Sequence, residues 1–308
     1  MQVNMRISIV MSTYNGSRYI QEQLDSIRNQ SRTPDEVLIF DDESSDNTYE
    51  IISNYINSFG LENWKLQKNP QNYGWRKSFI HAISCATGDL IFTADQDDIW
   101  CLDKVEKMSK AFELNKQIVV LVADYQEFKF GDIPTQKAKY DSYEVKRIPC
   151  DKKWYYIRRP GCVFALKKDI IPYINKTWYT NYAHDVLIWQ IGILLNGLYH
   201  IDYTAIYFRR HDTNATPLNY HNKTTRVEHA NWALNETARL EQLFSSEEKL
   251  KKNSNRSYIS EYHKFTEHRL ALLEQKKMIE IGWLMKNRDN YLSIRSLGID
   301  IVCSMMKK

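Results

Sequence analysis

The sequence predicts an α/β fold: a mostly parallel sheet flanked by helices, followed by a helical C-terminal extension. Three observations predict it. Short continuous apolar runs at residues 7–11, 37–40 and 90–92 alternate with stretches of helical period, the pattern of strands buried on both faces. Each of these runs ends in a polar cluster: Ser12-Thr13-Tyr14-Asn15, Asp41-Asp42 and Asp95-Gln96-Asp97-Asp98. From Thr225 onward glycine and proline nearly vanish and helical spacing continues to about Met306.

Taken in order, the first strand (7–11) is closed by the turn-forming Ser12-Thr13-Tyr14-Asn15-Gly16. Tyr19, Ile20, Leu24 and Ile27 then repeat at helical steps, and the pattern stops before Pro34. The second strand (37–40) runs into Asp41-Asp42. Ser44-Ser45-Asp46-Asn47-Thr48 is a natural helix start, and the helix runs through Ile52 and Tyr55 to Gly60. A weaker strand lies at 64–67, a helix at 79–86 stopped by Gly88, and a strand at 90–93 that delivers the acids. In the second half, 119–123 and 125–130 read as two strands, 131–147 as a polar loop or hairpin, and 206–208 as another strand. Residues 161–166 form a short strand opened by a glycine, where backbone can approach a ligand closely. A helix over 184–195 begins with His184-Asp185. Ligands of such sheets bind beyond the carboxyl ends of the strands. The three polar clusters therefore share one rim, although more than eighty residues separate the first from the last.

With 308 residues the chain is long enough for one large domain with an appendage, divided here as 1–219, catalytic, and 220–308, a helical extension. The net charge of +4 is too small to indicate a nucleic-acid partner. It is unevenly placed: from Tyr220 on there are 16 Lys plus Arg against 11 Asp plus Glu, so all the excess lies in the tail. Five widely spaced cysteines without a Cys-x-x-Cys pair argue against a disulfide framework or zinc site and for a reducing compartment. No apolar leader and no run of about 18 apolar residues occurs, so a cytoplasmic location is expected. Aromatics make up 13% of residues, including 20 Tyr and 8 Trp, which suits a groove that grips bases or sugar rings as well as a core.

Three carboxylates in four positions after an apolar strand call for water, a cation or hydrogen-bond donors. Carboxylates at i and i+2 suit a hard divalent ion, which usually accompanies a phosphate substrate; the bland alternative is that Asp97 or Asp98 caps a helix from Leu102. Arg76 and Lys77, in a loop before a helix, suit phosphate oxygens or simply water. Asp41 and Asp42 either hold a base or ribose or cap the next helix. His211 is a surface residue or an imidazole ligand. Asp185 is a helix cap or a general base. P-loop, serine-hydrolase and zincin motifs do not occur.

As an ordered set over roughly residues 5–215, these stretches resemble the family 2 glycosyltransferases, inverting enzymes of the GT-A fold, and among them the bacterial rhamnosyltransferase-like members. The stretches are Ser12-Thr13-Tyr14-Asn15-Gly16, Asp41-Asp42-Glu43-Ser44-Ser45-Asp46-Asn47-Thr48, Asn72-x-Gly74, Gly88-Asp89, Ala94 to Trp100, Gly161-Cys162, His184-Asp185 with Trp189, and Phe208-Arg209-Arg210-His211. The resemblance implies a nucleotide-diphosphate-sugar donor, UDP- or dTDP-linked, bound by Ser12, Thr13, Tyr14, Asp41, Asp42, Arg76, Lys77, Asp95 and Gln96. It implies Mg2+ or Mn2+ on Asp95, Asp97 and Asp98 with His211, which two acids serve being open. Asp185 matches the catalytic base, and Trp100, Gly161, Cys162, His184 and Trp189 fall on the acceptor side. The acceptor is then a glycan or lipid-linked saccharide of a bacterial surface polysaccharide. Two departures stand out: Glu43 where the family has glycine, and Trp189 four residues after Asp185 instead of close behind it.

The tail, with Trp283-Leu284-Met285, Tyr291-Leu292 and residues 299–302 among Lys286, Arg288 and Arg295, suits a membrane surface bearing a lipid-linked acceptor. A helical lid or an interface between two copies is the preferred alternative. Of the rival functions, a sugar nucleotidyltransferase should carry a glycine-rich basic loop after its first strand, and a non-catalytic glycan-binding relative should have lost acids. Neither condition is met.

Overall fold

The computed structural model describes residues 5–129, 141–211 and 222–305. β1 (Ile7–Thr13) is buried along its whole length and is the parallel neighbour of both β2 (Glu36–Asp41) and β4 (Leu90–Ala94). β3 (Trp64–Lys68) adds to β2, also in parallel. The crossovers are α1 (Ile20–Arg28), α2 (Thr48–Ser58) and α3 (Trp75–Cys85). Because helices cover this part of the sheet, its strands need apolar residues at successive positions, which is why they read as runs and not as alternations.

β4 is followed by β5 (Ile99–Trp100), α4 (Lys104–Leu114), β6 (Val120–Lys129), β7 (Val145–Arg147), β8 (Phe164–Lys167), α5 (Ile171–Thr177), α6 (His184–Leu194) and β9 (Leu198–Arg210). The sheet runs β3-β2-β1-β4-β8-β6-β9-β5, with β7 on β9. Its first four strands are parallel, as expected. Beyond them it is mixed: β8 lies antiparallel to β4 and β6, β9 parallel to β6, and β5 and β7 antiparallel to β9.

Three local expectations change. The two strands expected at 119–123 and 125–130 are, over the described residues, one strand, β6 (Val120–Lys129), whose register against β9 shifts around Asp124; a bulge there interrupts the apolar pattern. The strand at 206–208 is the end of the 13-residue β9. The glycine-opened strand begins with a single 3-10 turn, Gly161–Val163, before β8. Most of the stretch expected as a loop or hairpin, at 130–140, lies outside the described residues.

The described chain forms two compact units. One contains the whole sheet and takes residues 5–129, 141–148, 158–192 and 197–211. The other is helical and takes 149–157, 193–196 and 222–305, including α7 (Lys223–Ser246), α8 (Arg256–Leu273), α9 (Glu280–Lys286) and α10 (Ile294–Met305). The boundary expected at 219/220 lies outside the described residues. Within the helical unit Trp154 is fully buried, its Nε1 donating to Tyr258 O at 3.2 Å, and Tyr155 stacks on Tyr262 with ring centroids 4.3 Å apart.

The polar centre of this unit is Asp300, fully buried on α10. It accepts from Arg226 Nε (2.5 Å), Arg269 Nε (2.8 Å) and Tyr291 Oη (2.7 Å), drawing α7, α8 and the segment before α10 together. Burial by itself would raise its carboxyl, but Arg269 and Arg226 outweigh burial and hold it below the usual carboxylate range. Replacing Asp300 by Asn removes the charge between two buried guanidinium groups and should cost about 3–5 kcal/mol in chemical denaturation near neutral pH. A depressed carboxyl stabilises above its unfolded-state pKa of about 3.9 and stops doing so as pH falls through the lower folded value. The stability gap between wild type and Asp300→Asn should therefore shrink as the pH is lowered below about 4; a gap indifferent to pH would show that the charge is not what matters.

Candidate active site

The rim begins where β1 and β2 end side by side, Thr13 paired with Asp41. Asp41 is fully buried and accepts from Thr13 Oγ1 (3.1 Å), Ser44 N (3.0 Å) and Ser44 Oγ (2.5 Å). Asp42, also buried, accepts on Oδ1 from Asn69 Nδ2 (2.8 Å), Tyr73 N (2.9 Å) and Ser78 Oγ (2.8 Å), and on Oδ2 from Gly74 N (2.8 Å). Asp42 thus caps α3 from outside and fixes the turn before Arg76 and Lys77. Neither acid caps α2, whose N-cap is Asn47. Glu43 sits at φ 65°, the left-handed region that glycine occupies without strain. Glu43 thus holds, with a side chain, a conformation that would suit a glycine, and its Oε2 accepts from Asn72 N at 2.9 Å.

The acidic turn leaves β4 directly after Ala94, the β1 partner of which is Met11. Gln96 clasps the end of β1: Tyr14 N donates to its Oε1 (2.8 Å) and its Nε2 donates to Tyr14 O (3.0 Å). A Cβ on Gly16 would overlap that amide, which accounts for the glycine. Asp97 Oδ2 lies 2.7 Å from His211 Nε2 at the far end of β9. Neither Asp97 nor Asp98 caps a helix, because β5 follows them and α4 starts at Lys104 behind the N-cap Asp103.

Sequence reasoning assigned no role to Arg209, which organises this turn. Buried to 1% exposure, it donates from its backbone N to Asp98 Oδ1 (3.1 Å), from Nε to Asp97 O (2.8 Å) and from Nη2 to Glu22 Oε2 (2.6 Å). The Arg-Arg-His run marks the position, but nothing local separates the buried arginine from exposed Arg210.

Asp95, Asp98 and Cys162 offer ligand atoms within 4.8 Å of one another. Burial, then repulsion from Asp97 and Asp185, pushes the Asp95 carboxyl up to about 7. Burial, Asp97 and Asp95 likewise raise Asp98, whose buried Oδ2 has no hydrogen-bond partner among the described residues. Burial keeps the Cys162 thiol protonated. Asp185 opens α6 and accepts from Val186 N at 2.9 Å. Gly161, next to the Cys162 that groups with Asp95 and Asp98, packs against the Asp185 Cβ, which brings the two acid groups near each other.

His184 is buried, stacked on Phe79 at 4.0 Å with the edge of Trp75 at 5.9 Å. Burial, aided by Arg76 and opposed by Asp185, lowers its pKa, so the imidazole is neutral. Among the described residues its two nitrogens and Arg76 Nε, all buried, have no hydrogen-bond partner; such atoms mark where ordered water or a ligand completes a site. The Arg76 guanidinium lies over the Trp75 ring at 4.3 Å and the Lys77 ammonium over Tyr73 at 3.8 Å, both in the first turn of α3. The remaining residues of the expected acceptor side lie inward: Trp189 packs on Phe164 and Trp100 lies under the Lys104 ammonium, each 1% exposed. Ser12 is buried at the end of β1, and Tyr14 is 47% exposed beside it.

The sequence profile of Glycosyl transferase family 2 matches residues 8–173, more than half of the chain. The chain belongs to this family. Among its curated relatives, the dTDP-rhamnosyl transferase RfbG of Shigella flexneri is 26% identical over 220 residues, covering 68% of this chain and 74% of the relative. The putative glycosyltransferase EpsE of Bacillus subtilis is 32% identical over 116 residues, 38% of this chain and 41% of the relative. The chain thus spans well under two thirds of some of the relatives it matches. The crystal structure of S. aureus TarS 1-349 in complex with UDP-GlcNAc superposes with a TM-score of 0.60 at 17% identity, covering 97% of this chain and 90% of that one. At this identity the likeness shows a shared fold.

In this family 2 chain the Asp42 carboxylate is the acceptor for four donors of its own fold. Asp42→Ala, which orphans them, should lower stability by about 3 kcal/mol or more in urea unfolding, and Asp42→Asn by less. A fully stable Asp42→Ala protein would mean that the carboxylate serves a ligand and not the loop.

Proposed function

We propose that the chain is an inverting glycosyltransferase that moves a sugar from a UDP- or dTDP-linked donor to a hydroxyl of a glycan or lipid-linked saccharide. The observation that carries this reading is the meeting of two carboxylate groups on one rim, the Asp95–Asp98 turn after β4 and Asp185 at the start of α6, with Asp95 sensing Asp185. The acid cluster, together with Arg76 and Lys77 at the N-terminus of α3, suits a diphosphate. A separate carboxylate suits an incoming hydroxyl.

Asp185 takes the acceptor proton as oxygen attacks C1, a role worth about 10²–10⁴ in rate. Arg76 and Lys77 neutralise charge on the departing diphosphate. One displacement inverts the anomeric centre. Ser12, Thr13 and Tyr14 line the nucleotide, with Gln96 holding the Tyr14 backbone in place and Asp41 and Asp42 fixing the adjoining turns. Asp97 and His211 fit Mg2+ or Mn2+ as an oxygen and imidazole pair, whereas the protonated Cys162 thiol beside Asp95 and Asp98 is a poor ligand for a hard ion. The bound ion supplies Lewis-acid stabilisation of the leaving group. Gly161 and His184 border the acceptor. Surface polysaccharide synthesis is supported by the name of TarS, a poly(ribitol-phosphate) beta-N-acetylglucosaminyltransferase, and a dTDP-linked donor by that of the dTDP-rhamnosyl transferase RfbG. Residues 1–219 would form the catalytic domain and 220–308 its extension.

UDP, dTDP and GDP, each with Mn2+, should differ in raising the melting temperature, with UDP or dTDP strongest and EDTA removing most of the shift. Asp185→Asn should keep that shift and lose transfer by at least about 10²-fold; transfer near wild-type rates would refute the base assignment.

Among the described residues no helix is long and apolar enough to cross a membrane. The outer face of α10 nevertheless carries Ile294, Val302 and Met305, exposed by 66%, 60% and 62%, with Ile279 (85%) and Met285 (53%) on neighbouring segments. Exposed Lys276, Lys277, Lys286, Arg288 and Arg295 accompany them. Contact with the anionic inner face of the plasma membrane fits this chemistry. The full chain should co-sediment with vesicles containing phosphatidylserine, less so at high salt and in Val302→Glu; dimerisation without vesicle binding would assign the face to a second copy of the chain.

A further inference from the structure

Two buried donors flank the acidic turn on the protein side, and both grip the same neighbouring segment. Thr93, the penultimate residue of β4 and 1% exposed, donates from Oγ1 to Gly161 O at 2.5 Å. Lys104, the first residue of α4 and fully buried, donates from Nζ to Cys162 O at 2.7 Å. Its ammonium also lies 3.3 Å from the centre of the Trp100 ring and is electrostatically coupled to Asp98 and Asp95. Burial pushes this amine down to about 7 against the pull of its acidic neighbours, and a buried charge is costly unless it is paired and hydrogen-bonded; a methionine of similar length would fill this space without that cost.

The gripped segment touches the base. A Cβ on Gly161 would lie 2.9 Å from His184 Nε2 and 3.0 Å from Asp185 Cβ. Gly161 thus packs against His184 and Asp185 with no room for a side chain between them, so the position of the 161–162 turn bears on where Asp185 stands.

We infer that Thr93 and Lys104 are positioning residues: they fix the carbonyls of Gly161 and Cys162, and through Gly161 they set where the Asp185 carboxylate stands relative to the acidic turn. The inference rests on Asp185 acting as the base of the proposed transfer. It gives the chain a physical link between its two acid groups, through backbone carbonyls held from below.

The first test is Thr93→Val, which removes only the hydroxyl and keeps the shape. Amide exchange read by mass spectrometry should quicken over residues 161–164 and 184–187 and nowhere else. The affinity for UDP with Mn2+ should stay within about threefold. With UDP-GlcNAc or dTDP-rhamnose as donor, release of nucleoside diphosphate should fall at least about tenfold in kcat with donor KM unchanged, since a misplacement of about 1 Å can cost 10²-fold. Lys104→Met should do the same more strongly, and Lys104→Arg should restore part of kcat. Unchanged exchange in the two segments, or a kcat of Thr93→Val within about twofold of wild type, overturns the proposal. If the wild type cleaves neither donor, the donor reading falls while the exchange measurement still decides the positioning; if Lys104→Met does not fold, Thr93→Val decides it.

Discussion

Every feature of the site depends on β1 being the shared parallel neighbour of β2 and β4. Parallel strands end on the same side, so Thr13, Asp41 and Ala94 arrive together and whatever follows them meets at one rim. The register also makes the clasp between Gln96 and Tyr14 reachable, and with it the requirement for a side-chain-free residue at Gly16. The antiparallel β8 then brings Gly161 and Cys162 beneath the acids. β9, parallel to β6, carries Arg209 and His211 up to the same turn.

Electrostatics then gives three similar aspartates different characters. Asp97 faces an imidazole, Asp98 a backbone amide and the buried thiol, and Asp95 the second acid group at Asp185. Carboxylates crowded in this way resist ionisation together. Asp300 shows the opposite arrangement: two guanidinium groups and a tyrosine hydroxyl satisfy it completely, and it serves cohesion of the helical unit.

Much of the fold was legible in the residues. The apolar runs of β1, β2 and β4 and the helical periods between them are local signals, and the polar clusters after them mark the rim without any coordinates. The single strand β6 was less legible, because a bulge around Asp124 breaks its period, and so was the full length of β9. The donors holding Asp42 come from residues 69–78, a relation that no spacing encodes.

The sequence by itself determined the α/β class, the strand ends that carry chemistry, and the set of acids and bases available to them, because those depend on periodicity and residue type. Tertiary structure alone decided which groups pair. It placed Asp97 with His211 across more than a hundred residues, buried Arg209 where Arg210 is exposed, kept Glu43 in a left-handed turn, and set Thr93 and Lys104 under Gly161 and Cys162. The physical reason is that pairing energies fall off within a few ångströms, and only the packed register of distant strands brings such groups that close.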